Sequence, residues 1–105
     1  MKPKQIKIVF VAVGESPVVM VMENKLEAMQ KLVGGYIEIL EIAEGLDLVC
    51  NEEGKLDGLK PNHVVGDDII VGDFFVTRVD YKTGEHISIT DDDLDTVEDM
   101  FGEVA

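Results

Sequence analysis

Three dense clusters of turn-forming residues interrupt the middle of this chain: Gly34-Gly35-Tyr36-Ile37-Glu38, Asn51-Glu52-Glu53-Gly54-Lys55 and Gly58-Leu59-Lys60-Pro61-Asn62. Each sets conformationally free glycine, or a proline that cannot continue a helix, beside polar side chains, so no long regular element can run through them. With 105 residues, the chain is long enough for one hydrophobic core without disulfide or metal staples, so residues 1–105 are expected to form a single domain of many short elements.

Gln5 to Val13 is rich in β-branched residues, with Ile6, Ile8, Phe10 and Ala12 on one face, and reads as a first strand. Gly14-Glu15-Ser16-Pro17 turns the chain, and Val18 to Met22 forms an antiparallel partner. Asn24 reads as a helix N-cap. From Lys25 to Val33, Leu26, Met29 and Val33 recur at helical spacing, and Leu32 widens the apolar stripe. Gly34 is the helix stop, and Gly35 permits a sharp re-entry into a strand over Tyr36 to Ile42. That strand pairs through Ala43-Glu44-Gly45 with Leu46 to Cys50. Lys55 to Gly66 has no sustained period and is expected to be an ordered loop. A later hairpin runs from Asp73 to Tyr81, turns through Lys82-Thr83-Gly84-Glu85 and returns through His86 to Ile89. Thr90 or Asp91 caps a last helix whose stripe is Leu94, Val97 and Met100 or Phe101. The expected class is α+β: a mostly antiparallel sheet built from hairpins, packed with a central helix over about 25–33 and a C-terminal helix over about 91–101.

Charge narrows the functions open to such a domain. With 22 acidic against 9 basic side chains the formal charge is -13, which repels nucleic-acid phosphate, so direct DNA or RNA binding is disfavoured. Arg78 is the only arginine, and the lysines are scattered from Lys2 to Lys82. The same charge steers the chain towards a basic partner, although solubility alone also accounts for it. Asp91 to Ala105 carries seven acids and no Lys or Arg, which makes Asp92, Asp93, Asp95 and Asp99 candidates for a protein-docking surface. The apolar run Ile8 to Val13 is too short to span a bilayer, and no signal-peptide pattern is evident, so a cytoplasmic protein without membrane contact is expected.

Recognised chemistry is sparse. Cys50 is the only cysteine; it has no His partner in a known motif and is expected to sit in a strand interior. His63 and His86 belong to no metal motif, and the spacing of Asp67, Asp68 and Asp73 does not match a calcium loop. Phosphate-loop and dinucleotide patterns are missing as well, so neither cofactor nor metal is expected. The central clusters do offer a small-ligand site. Asn51, Glu52, Lys60 and Asn62 converging beside Tyr36 would supply donors, acceptors, one positive charge and an aromatic face for a nucleotide-like molecule. Turn formation and backbone satisfaction are the plain alternative for the same residues.

The runs KLEAMQKLVGGYIEI over 25–39, NEEGKLDGLKPN over 51–62 and IVGDFFVTR over 70–78 together resemble an uncharacterised family, a domain of unknown function in small proteins of bacteria, plasmids and phages. The resemblance extends from about Glu23 to the final helix. It implies a mobile-element setting, in which anti-defence or host-takeover roles are expected, and it supplies no catalytic residue. The expected function is that of a non-enzymatic acidic inhibitor of a host protein with a basic surface, such as a nucleic-acid-handling defence factor. A sponge or sensor for a nucleotide-like ligand is the alternative, and an enzyme with an unrecognised site is a weaker one. Pairing of two copies through an exposed edge strand or the Val64 to Val76 region is also open.

Overall fold

The computed structural model describes residues 3–105; Lys2 lies outside them. The elements run β1 (Gln5–Val11), β2 (Val18–Glu23), α1 (Leu26–Val33), β3 (Ile37–Ala43), β4 (Leu46–Asn51), β5 (Pro61–Val65), β6 (Asp68–Val71), β7 (Phe74–Val79), β8 (His86–Ile87) and α2 (Asp91–Phe101). The main sheet has the order β2-β1-β7-β4-β3, with β8 paired to β7, and β5-β6 form a separate two-stranded sheet. Every pairing is antiparallel. With two helices packed on this sheet, the α+β class holds.

Strand β7 joins two hairpins that the chain makes early. It lies between β1, with Phe10 opposite Phe75, and β4, with Leu48 opposite Val76. Because side chains alternate along a strand, the sheet presents two apolar faces. On one, Ile6, Ile8, Val49 and Phe75 pack against Met29 and Val33 of α1. On the other, Val9, Val11, Leu46, Leu48, Phe74 and Val76 pack against Val97 and Phe101 of α2 and Ile70 of β6. A strand covered on both sides reads as a continuous apolar run, and all six residues of β4 are buried.

Two local expectations are corrected. Asn24 does not cap α1: the N-cap position is Lys25, which makes no side-chain capping bond. The Asn24 side chain is buried and donates to the carbonyls of Pro3 and His86, at 3.2 and 3.0 Å, so it ties the helix entry to two other segments. The stretch 55–66 is not wholly a loop either. Pro61 opens β5, where its missing N–H is tolerated at a strand start, and a register irregularity between Pro61 and His63 breaks the alternation that would have marked a strand.

The helix ends follow local chemistry. Gly34 takes φ 81°, and its N–H donates to the Gln30 carbonyl at 2.8 Å, closing α1. Thr90 and Asp93 form a reciprocal capping box at the start of α2. Asp93 also accepts a two-pronged bond from Arg78 on β7, at 2.7 and 2.6 Å. One carboxylate therefore caps the helix and fastens it to the sheet.

Candidate functional site

Of the five ligand candidates, Tyr36, Asn51 and Glu52 meet at the end of the β3–β4 pair, whereas Lys60 and Asn62 border other depressions. Asn51 is buried at the end of β4; its Nδ2 donates to the Val33 carbonyl at 3.3 Å, and its Oδ1 accepts the Glu53 N–H at 2.8 Å. Gly35 lies so close that a Cβ there would stand 2.9 Å from Asn51 Nδ2, which explains the second glycine of the pair as a close approach. Asn62 on β5 donates to the carbonyls of Val11 and Gly72, at 3.0 and 2.9 Å. Both asparagines thus satisfy backbone carbonyls and join separate elements. Tyr36 is 68% exposed ahead of β3, and its carbonyl accepts the Glu52 N–H. Lys60 borders a depression shared with Lys31 and Asp73, whereas Asn62 borders another shared with Ser16 and His63. The candidates therefore border three different depressions, and the amides of Asn51 and Asn62 are engaged by backbone carbonyls.

Asn51 and Glu52 do line a cleft of about 180 Å³ between the end of the main sheet and β6. Glu38, Cys50 and Asp68 line it too, with Lys55 and Leu56 from the intervening turn. Lys55 donates to Asp68 at 2.6 Å in an exposed ion pair. That bond holds the Asp68 carboxyl below its usual range and raises Lys55, so each partner favours the charged form of the other. The Cys50 thiol is pushed up to about 11, first by burial and then by the carboxylates of Glu38 and Asp68, with Lys55 opposing. At neutral pH it is a protonated thiol and a weak nucleophile.

The histidines are absorbed by packing. His63 meets Phe74 and Phe101 edge-on, with ring centroids 6.2 and 5.1 Å away. His86 Nε2 lies 3.3 Å from Asp47 Oδ2, both side chains being largely buried. Among the described residues no three His, Cys, Asp or Glu side chains are grouped to hold a metal ion, and no helix is long and apolar enough to cross a membrane.

Of the four docking candidates, Asp92, Asp95 and Asp99 are exposed on α2. Asp93 is buried and bonded to Arg78 and Thr90, and is corrected from docking residue to structural clamp. Arg78 lowers the Asp93 carboxyl most, Thr90 adds to this, and burial opposes it. The sequence signal for this role was the Thr90-x-x-Asp93 spacing, which places Asp93 at the third helical position. The Val64 to Val76 region, open in the sequence as a pairing surface, carries an exposed apolar patch on the small sheet. Val64 and Ile69 are register partners, 66% and 48% exposed, and Leu56 nearby is 87% exposed.

Fold and surface together define a small acidic domain in which an antiparallel sheet is covered by one helix on one face and by a helix and a hairpin on the other. The family model described as Domain of unknown function (DUF3846) matches residues 6–102, and the chain belongs to that family. Neither the curated proteins nor the solved structures include one that matches the chain.

Proposed function

We propose that this domain is a non-enzymatic binding protein that docks the exposed face of α2 on a basic surface of another protein and so blocks it. The observation that carries this reading is the placement of Asp92, Asp95 and Asp99, all exposed at helical spacings of three and four on one side of α2, with no basic residue in its last turn. The opposite side of the helix is committed to the core through Val97 and Phe101, so the acidic side is free for a partner. The partner class that fits is one whose own working surface is basic, such as a host's nucleic-acid-handling defence factor, within a mobile-element setting. A nucleotide sponge has less support, because the amides of Asn51 and Asn62 are engaged by backbone carbonyls and Lys60 borders a different depression from Asn51 and Glu52.

The test is affinity capture from host lysate at low salt with the wild type and with an Asp92→Asn/Asp95→Asn/Asp99→Asn variant, followed by titration of the recovered partner. Each exposed charge pair contributes about 0.2–1 kcal/mol, so losing three should weaken association roughly tenfold and flatten its salt dependence. Equal affinity and equal salt sensitivity in the two proteins would remove the acidic-face model.

A further inference from the structure

The β5-β6 hairpin has an inner and an outer side. His63 and Ile70 are register partners facing the core, where His63 meets Phe74 and Phe101 and Ile70 is buried. Val64 and Ile69, the next pair, face outward and are exposed. Ile69 and Leu56 also line the cleft that holds Glu38, Glu52 and Asp68. An aliphatic surface therefore continues into a cleft whose only basic group among the described residues is Lys55. Neighbouring exposed aliphatics with a charged border are the pattern of an interaction site, unlike single scattered ones.

We propose that this outer hairpin face and its cleft form a second docking surface, for a basic amphipathic segment of a partner protein. The segment's aliphatic side chains cover Leu56, Val64 and Ile69, and one of its lysine or arginine side chains enters the cleft. There it meets Glu38 and Glu52 and replaces Lys55 as the partner of Asp68. The Lys55–Asp68 pair is exposed on both sides, and such a pair is exchanged at little cost. Charge selects the occupant. A second copy of this chain would bring another charge of -13 and set one acidic rim against another, whereas a basic segment complements it. The surface is separate from the acidic side of α2, so this proposal stands or falls independently of the α2 reading.

Three synthetic twelve-residue peptides test it: alternating lysine and leucine, alternating lysine and serine, and alternating glutamate and leucine. Each is titrated into the isotope-labelled full chain and followed by amide chemical shifts. The lysine-leucine peptide is expected to shift amides of Leu56, Val64, Ile69, Glu38 and Cys50. The lysine-serine and glutamate-leucine peptides should both leave the amides of Val64 and Ile69 unmoved. A Leu56→Ser/Val64→Thr/Ile69→Thr variant, changed only at exposed positions, should weaken lysine-leucine binding at the hairpin about tenfold or more. Glu38→Gln/Glu52→Gln, which leaves the aliphatics in place, should weaken it several-fold and reduce its salt dependence. The proposal is overturned if the lysine-leucine peptide bypasses the hairpin, if both variants bind it as the wild type does, or if sedimentation shows a dimer that the aliphatic variant dissociates.

Discussion

Asp93 both caps α2 and ties it to β7. Its carboxylate accepts the Thr90 N–H and two Arg78 N–H bonds, with only 5% of the side chain exposed. Replacing it with Asn removes the charge that answers Arg78 and weakens the capping box. Arg78 keeps 30% exposure and can be partly rehydrated, so the expected cost at pH 7 is about 2–3 kcal/mol, below the range for a fully buried pair. The folded carboxyl is held below its ordinary value by Arg78 and Thr90. Its contribution is therefore fully present above the unfolded value of about 3.9 and is lost as pH falls through the lower folded value. Urea midpoints of wild type and Asp93→Asn should stand apart at pH 7 and draw together below about pH 4; a gap that persists at low pH would mean that shape, not charge, carries the effect. The two-pronged geometry also makes Arg78→Lys a damaging change, since an ammonium cannot present the guanidinium's parallel donors.

The small sheet β5-β6 is joined to the main body partly through Asn62, whose amide reaches the carbonyls of Val11 and Gly72. Asn62→Ala would leave those carbonyls short of a donor and is expected to cost about 1–3 kcal/mol. The loss should be local, because β1, β4 and β7 keep their mutual ladders and their shared core. Native-state amide exchange is expected to quicken at Val64, Val65 and Ile70 while Val49 and Val76 stay protected. Uniform acceleration across both sheets would show that the hairpin is not a separate opening unit. The same elements show what was legible beforehand. Leu46 to Cys50 and Thr90 to Phe101 announce themselves by apolar pattern and capping chemistry, which act over a few residues. The β5-β6 pair was hidden, since Pro61, polar Asn62 and the irregularity before His63 obscure a period of two. Asparagine prefers the cap position, which makes Asn24 read as one, but the His86 carbonyl that claims its side chain lies 62 residues away. For the same reason nothing local places β7 between β1 and β4, and nothing local shows that the amides of Asn51 and Asn62 are taken up by the carbonyls of Val33, Val11 and Gly72.

At the scale of the whole molecule, the charge of -13 acts on stability and on association with opposite signs. Within the fold, carboxylates repel one another over distances set by the Debye length, which falls from about 30 Å at 0.01 M salt to about 8 Å at 0.15 M. Screening should therefore relieve repulsion and stabilise the domain. It also weakens the exposed pairs Lys25–Glu23 and Lys55–Asp68, but such solvent-exposed pairs contribute little, and Arg78–Asp93 is better sheltered. The melting temperature should consequently rise with sodium chloride across that range, by about 4–8 °C for each kcal/mol of repulsion removed. Over the same range association with a basic partner should slow, because the field that strains the fold is the field that steers the encounter. Paired thermal melts and association rates at matched salt check this directly. A melting temperature that falls with salt would mean that local ion pairs outweigh the net charge, and steering by the whole-molecule field would lose its basis.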